Sequence, residues 1–345
     1  MLAQLDDLAS LTGIDISDML GQITSFPSQL TSSLRVDRRR DLEAETVVVG
    51  GLGGSAMGGD VLAEYMAISS SAPTFVVRDA TLPRWADERT LIILISYSGN
   101  TRETISLYGS ARERGCPLVI ITSGGHLMEM AGQDGQDIVR VPSGLQPRAA
   151  LGHLLGSAAC VVESTGLAPM ASDVRAFVPS LEALMQDLLP SSPQARNAAK
   201  RIAMSLVDTM PFVYAPRPLR SAATRWQTQI NENSKMLCLS GEVPEMDHNQ
   251  IVGWIDGARD ARSRPVMLLP RNGVFPAADL MRTTIDMFAE HGIDTVVAEL
   301  EGGTPLESAL HGIMLGDFVS YYLAILRGAD PTPVPSITEL KGRLR

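Results

Sequence analysis

Two short segments of this chain carry residues suited to gripping a phosphorylated ligand. The first, Gly50-Gly51-Leu52-Gly53-Gly54-Ser55-Ala56-Met57-Gly58-Gly59, follows the apolar run Thr46–Val49. Glycines let a backbone approach a ligand closely and adopt positive φ. A helix starting inside the segment would aim amides and a positive dipole end at an anion. A tight strand-to-helix turn needs fewer glycines than this. A nicotinamide-dinucleotide fingerprint is a competing reading, because Gly51-x-Gly53-x-x-Ala56 fits it loosely and Asp79 follows the next apolar run. The second segment, Ser96-Tyr97-Ser98-Gly99-Asn100-Thr101, separates these readings. Its hydroxyls, at the end of the apolar run Leu91–Ile95 and the start of a helical pattern, form a donor-rich cup for a phosphate monoester. N-capping accounts for one hydroxyl, not three, and a dinucleotide site leaves all three unexplained.

Four further side chains could move or stabilise charge. Glu232 lies in a predicted helix interior among Asn231, Asn233 and Ser234, all poor helix formers, and local rule-breaking of this kind marks functional positions. A carboxylate so placed could serve as a general acid or base. The plain alternative is a solvated helix face with Glu232 and Lys235 as an i,i+3 ion pair. His248, between Asp247 and Asn249, carries an imidazole in a polar setting, a side-chain type suited to proton transfer. Arg148 precedes a predicted helix, where a fixed cation could stabilise a developing oxyanion. On residue type alone both also read as surface residues of loops, and Lys341 as a solvated lysine near the chain end.

The elements around these residues repeat. Short apolar runs at Thr46–Val49, Thr74–Val77, Leu91–Ile95, Leu118–Thr122 and Ile138–Val141 alternate with helical patterns at Ala56–Met66 and Arg102–Arg114. Such strands predict a parallel sheet covered on both faces, a doubly wound α/β domain. The second half echoes this with strands at Phe212–Tyr214, Pro265–Leu269 and Thr295–Leu300 and helices at Arg220–Leu239 and Ala277–His291. Each half closes on a long apolar helix, Ala149–Thr165 and Leu306–Arg327. Two similar domains are expected, residues 1–170 and 171–345, with a boundary near Ala168–Val178. Ahead of the first strand, Ile16, Leu20 and Ile23 share a helical face, Pro27 interrupts, and Leu30 with Leu34 resumes the pattern to about Leu42.

Composition narrows the class. The 345 residues are 45% hydrophobic and 20% charged, with a net charge of −10, the balance of a soluble globular protein. Nucleic-acid binding is not expected, since beyond Arg38–Arg40, read as a solvated loop or helix end, there is no basic stripe. Cys116, Cys160 and Cys238 are too scattered for a disulfide framework or a CxxC metal site. With no signal peptide and apolar strings such as Leu91–Ile95 only strand-sized, a cytoplasmic protein without membrane spans is expected. Neither metal nor cofactor is implied, for no HExxH-type ligand spacing occurs.

The segments GLGGSAMGGD and SYSGNTRETI resemble the hallmark stretches of sugar-isomerase (SIS) domains. The segments PRAALGHLLG, NENSKMLC, EMDHNQIVGW and GDFVSYYLAILRGADPTPVPSITELK resemble those of the bifunctional phosphoglucose/phosphomannose isomerases. The resemblance implies two SIS-type doubly wound domains and a metal-independent interconversion of glucose 6-phosphate, mannose 6-phosphate or both with fructose 6-phosphate through a cis-enediolate. It implies that Gly53, Gly54, Ser55, Ser96, Ser98 and Thr101 hold substrate, the last three chiefly its phosphate. It further implies Glu232 as the proton-transferring base, Arg148 as the charge-stabilising cation, and His248 and Lys341 as aids to ring opening. In that family the histidine comes from the neighbouring subunit, so a homodimer with a shared active site is expected. A non-catalytic sugar-phosphate sensor built on SIS domains is the alternative, but it would leave these four residues idle.

Overall fold

Strands whose residues are apolar on both faces fold into parallel sheets sandwiched by helices, and the computed structural model has two such sheets. It describes residues 5–34, 44–257, 262–271 and 275–343. The first sheet consists of β1 (Thr46–Gly50), β2 (Thr74–Val77), β3 (Thr90–Ile95), β4 (Leu118–Thr122) and β5 (Asp137–Arg140). They are all parallel, in the order β2-β1-β3-β4-β5. Helices α1 (Leu8–Ile14) and α2 (Met19–Thr24) come before this sheet in sequence, α3 (Phe26–Ser33), α4 (Gly54–Ser69), α5 (Arg102–Glu113), α6 (Gly125–Gln133) and α7 (Leu151–Ser164) belong with it, and α8 (Met170–Leu188) follows. The second sheet has β6 (Met210–Pro216), β7 (Leu239–Val243), β8 (Ser263–Pro270) and β9 (Val296–Leu300), parallel in the order β7-β6-β8-β9. Around it lie α9 (Ala198–Leu206), α10 (Arg220–Asn233), α11 (Gln250–Ile255), α12 (Ala277–Glu290), α13 (Pro305–Leu326) and α14 (Pro335–Arg343).

In each sheet the first strand pairs with the second on one side and the third on the other, so the winding reverses there. That reversal opens a crevice at the strands' C-terminal ends, the ordinary ligand position in open α/β sheets. The chain forms two compact units, one of Thr24–Ser180 and one of Met1–Ile23 with Leu181–Arg345. A division at residue 170 differs from these limits in two ways. Helix α8 begins at Met170 and the observed limit at Ser180 falls inside it, next to Pro179, and the described residues up to Ile23 group with the second sheet.

Other expectations are corrected by particular residues. Helix α10 ends at Asn233 instead of running to Leu239, and Lys235 turns the chain with φ 54°. The following Leu239–Val243 is an edge strand that Ser240, Gly241 and Glu242 hide from any apolar pattern. Ile16 lies 79% exposed between α1 and α2 and does not share a buried face with Ile23. Pro27 starts α3 rather than interrupting a helix, since a first-turn proline gives up no intrahelical bond. The expected helical stretch beyond Leu34, with Arg38–Arg40, lies outside the described residues. Cys116, Cys160 and Cys238 are buried, and among the described residues none of them forms a disulfide.

The apolar strings are not all strand-sized. Helix α13 is long and apolar enough to cross a membrane, yet its apolar window is wholly buried inside the protein. A helix apolar all round is either a membrane span or the core of a large domain, and packing against α10 and α9 makes this one a core helix. Its approach to α10 depends on Gly312 and Gly316, one turn apart. A Cβ on Gly316 would overlap the Trp226 indole, and one on Gly312 would sit 3.1 Å from Ala222 Cβ. Through this notch Trp226 Nε1 donates to Gly312 O at 2.7 Å. One turn away Arg225 Nε and Nη2 donate to the two carboxylate oxygens of Asp317, each at 2.8 Å, and Gln229 Nε2 adds a third bond at 3.0 Å. Helix α7 carries the same notch for α3. A Cβ on Gly152 would lie 2.6 Å from Gln29 Cβ, and one on Gly156 3.1 Å from Ser33 Cβ.

Removing one partner of a buried charge pair strands the other without water, which costs about 3–5 kcal/mol. Asp317→Ala is therefore expected to lower unfolding free energy by about that amount, read as a shift of the urea midpoint; a shift under ~1 kcal/mol would show the pair to be dispensable. Burial also holds His153 and His311 below the ordinary imidazole range. Their folded-state pKa values lie below the unfolded value, so the native state favours the neutral rings. Their contribution is complete above about pH 6.5 and is lost as pH falls from there through the folded values. Urea titrations from about pH 7.5 down to about pH 5.5 should show falling stability, with a shallower slope in His153→Gln. An unchanged slope would remove His153 from the account.

Candidate functional site

The first sheet's switch point gathers the two motif loops. Strand β1 ends at Gly50 and α4 starts at Gly54, with Gly53 at φ 55° as its N-cap residue and no side chain capping the helix. Strand β3 ends at Ile95 and leads through Ser96–Asn100 into α5, whose N-cap is Thr101. Ser55 Oγ accepts the backbone N–H of Tyr97 at 3.1 Å, so the two loops are directly bonded. Ser96 Oγ donates to Thr101 Oγ1 at 3.2 Å, and Asn100 N donates to Ser98 Oγ at 3.3 Å. Ser55 and Ser96 are buried, Thr101 is half-buried and Ser98 is exposed.

Capping does not account for these hydroxyls, because Thr101 makes no side-chain cap bond to α5. The starts of α4 and α5 thus both lie at this switch point without a side-chain cap, leaving two positive dipole ends for an anion. Gly99, at φ 66°, belongs here for a steric reason: a Cβ would overlap Gly124 O of the loop after β4. That third loop supports the second, as Ser123 Oγ donates to Tyr97 O at 2.6 Å and Asn100 Oδ1 accepts from His126 N at 3.0 Å.

Arg148 belongs to the same unit. It lies 3% exposed in a 3-10 turn, Pro147–Ala150, ahead of α7. A Cβ on Gly54 would fall 2.8 Å from Arg148 Cα, so the glycine lets the arginine's backbone rest on the first turn of α4. Arg148 is thus a buried cation beside the crevice rather than a surface arginine. Tyr97, which sequence reasoning left out of the site, joins the loops to this turn. Its hydroxyl donates to Pro142 O at 2.9 Å and accepts from Leu145 N at 3.0 Å, and burial raises its pKa. Its position inside SYSGNT was the available signal.

The other candidates belong to the second unit. Glu232 is half-buried in the last turn of α10, not in a helix interior, and the polar residues around it are anchors. Asn231 Nδ2 donates to Gln227 O and Cys238 O, while its Oδ1 accepts from Cys238 N. Asn233 Nδ2 donates to Ser320 Oγ at 3.0 Å and Ser234 Oγ to Ser320 O at 2.7 Å. Lys235 Nζ donates to the carbonyls of Glu232, Asn233, Asp330 and Pro331. Poor helix formers at a helix end thus hold its last turn to β7, to α13 and to the segment that leads into α14.

His248 is exposed at the end of the 3-10 turn Glu245–His248. The preceding Asp247 is half-buried; its Oδ1 accepts from Thr284 Oγ1 at 2.9 Å, and burial raises its pKa. Connectivity keeps Glu232 and His248 apart within the chain. Helix α10 returns the chain to the start of β7, where Asn231 meets Cys238, whereas His248 lies beyond β7's far end. The two therefore stand at opposite edges of the sheet, separated by the rise of β7, about 13 Å at ~3.3 Å per residue. Lys341 is exposed on α14, a helix with no buried residue. Among the described residues no three His, Cys, Asp or Glu side chains group as a metal site would need.

Comparison with known proteins agrees with this architecture. Residues 42–128 match the SIS domain, and residues 195–344 match the bacterial phospho-glucose isomerase C-terminal SIS domain. A bifunctional phosphoglucose/phosphomannose isomerase of Caldicellulosiruptor bescii is 34% identical over 339 residues, covering 94% of this chain and 98% of its own. One from Aquifex aeolicus is 35% identical over 306 residues, covering 87% and 90%. Among solved structures, the C-terminal domain of glucosamine-fructose-6-phosphate aminotransferase from Francisella tularensis superposes with a TM-score of 0.71. At 14% identity, covering 91% of this chain and 97% of that one, it shares the fold. The chain belongs to the bifunctional phosphoglucose/phosphomannose isomerase family.

Proposed function

We propose that this protein is a sugar-phosphate isomerase that interconverts glucose 6-phosphate, mannose 6-phosphate or both with fructose 6-phosphate. The observation that carries this reading is the bonded pair of loops at the first switch point, with hydroxyls and helix amides not spent on capping. Such a cup suits a phosphate monoester, and the relatives named above act on sugar phosphates. Gly53, Gly54 and Ser55 with Ser96, Ser98 and Thr101 hold the substrate. Glu232 takes a proton from C1 of fructose 6-phosphate and returns it to C2, while the O1 hydroxyl proton passes to O2 so that the carbonyl forms at C1. The electron pair released at C1 forms the C1–C2 double bond of a cis-enediolate. The negative charge gathers on oxygen, where Arg148 stabilises it. The intermediate is planar, so the face on which C2 is protonated decides between the glucose and mannose configurations. His248 and Lys341 assist ring opening beforehand. No step requires a metal or cofactor.

The same reading includes a homodimer. Glu232 and His248 stand at opposite edges of one sheet, so joint action on one substrate needs His248 from a second copy. In a two-fold dimer each chain would then give its glutamate to one site and its histidine to the other. Cysteines that form no disulfide suit a reducing cytoplasm.

Purified protein incubated with fructose 6-phosphate in deuterated water should form aldose 6-phosphate labelled at C2. Starting instead from glucose or mannose 6-phosphate measures each branch. Absence of both turnover and exchange would sink the catalytic reading and favour a sensor. Glu232→Gln should lose at least ~10²-fold in turnover, the scale of a positioned acid–base group; near-normal turnover would remove Glu232 from its role. Mixing inactive Glu232→Gln with inactive His248→Ala should restore about a quarter of wild-type activity, because half the dimers are mixed and each holds one intact site. No recovery after subunit exchange would place both residues in one chain's site.

A further inference from the structure

We infer that Gln29, on the short helix α3, is a positioning residue for Arg148; the inference rests on the role given to Arg148 above. Nothing in the surrounding FPSQLTSS marks this residue, which reads as a polar position in a leading helix. In the structure it is 2% exposed and uses the full capacity of its side-chain amide. Nε2 donates to Ala149 O at 2.8 Å and to Ser25 Oγ at 2.8 Å. Oε1 accepts from Gly152 N at 3.1 Å and His153 N at 3.4 Å. Three of these four partners are backbone groups within five residues of Arg148, on the turn that carries it and the first residues of α7.

The packing leaves Gln29 little freedom to act elsewhere. Gly152 lets its Cβ approach within 2.6 Å of where a side chain would begin, and Ser33 Oγ meets His153 Nδ1 at 2.8 Å one turn further along α3. On its other side the Arg148 backbone rests on Gly54. The turn is thus held between the glycine-rich helix start and the Gln29 amide. A cation that stabilises a transition state must be fixed before the reaction, and misplacement by about 1 Å can cost ~10²-fold in rate. Substrate affinity, set mainly by the phosphate cup, should respond much less.

The test is a double-mutant cycle on the full-length protein, with Gln29→Met matching the side chain in size and Arg148→Ala removing the cation. Gln29→Met should lower kcat ~10-fold or more, with KM within about twofold, the mark of an interaction made in the transition state. In the Arg148→Ala background the same change should cost less than about twofold, because coupled residues are not additive. Equal losses in both backgrounds would overturn the inference and leave Gln29 as a packing residue. Near-normal turnover of Arg148→Ala alone would instead remove the role on which it rests. Should Gln29→Met not fold, Gln29→Glu keeps the acceptor for the α7 amides and loses the donor to Ala149 O. It should show the same kcat loss and the same dependence on Arg148, and an unchanged kcat would overturn the inference.

Discussion

A helix backbone can approach its neighbour only where the side chains leave room, and that constraint organises both units of this protein. Helices α7 and α13 each carry two glycines one turn apart, Gly152 with Gly156 and Gly312 with Gly316. Into the first notch comes α3 and into the second α10, close enough for polar groups to bond across the contact. Gln29 reaches the start of α7 this way, and Trp226 reaches Gly312 O. A larger residue at either notch would push the helix outward and open those bonds. The polar contacts that steady the candidate site residues thus depend on sterics several residues away.

Parallel-sheet connectivity supplies the second constraint. A strand ends at the edge where ligands bind, and the helix after it carries the chain back to the opposite edge. Residues on strand-to-helix loops and first helical turns, such as Ser96 and Ser55, collect at the first edge. Glu232, in the last turn of α10, does not. Whatever it acts on must come to the other side of its own sheet from the one His248 occupies. The inference that two chains share the chemistry grows from this topology rather than from any single contact.

Local chemistry around Glu232 follows the same economy. Asn231, Asn233 and Ser234 lower helix propensity by a few tenths of a kcal/mol each, and Lys235 adopts a left-handed φ uncommon for its type. Their side chains answer this by bonding to Cys238, Ser320, Asp330 and Pro331. A carboxylate on a fraying helix end would sample many positions. Here the end is tied to a strand, a core helix and the following segment, and Glu232 is left half-buried on it.

Apolar runs by themselves determined most of the strands, since a segment such as Leu91–Ile95, apolar on both faces, has no stable place outside a covered parallel sheet. They failed at β7, where Ser240, Gly241 and Glu242 suit an edge strand that is wetter on one side. They gave no sign of α8 either, a continuous helix over most of the stretch where a domain boundary was expected. The GLGGSAMGGD and SYSGNT segments were also legible as turns from strand to helix, and the structure bonds them to each other. Only the tertiary structure decided that Arg148 is buried beside Gly54, that Tyr97 ties three loops together and that Gln29 fixes the turn between them. Only the fold could set Glu232 and His248 at opposite sheet edges. The reason is physical: periodicity and motif report what a residue prefers locally, whereas distance, burial and partnership arise when segments far apart in sequence close on one another.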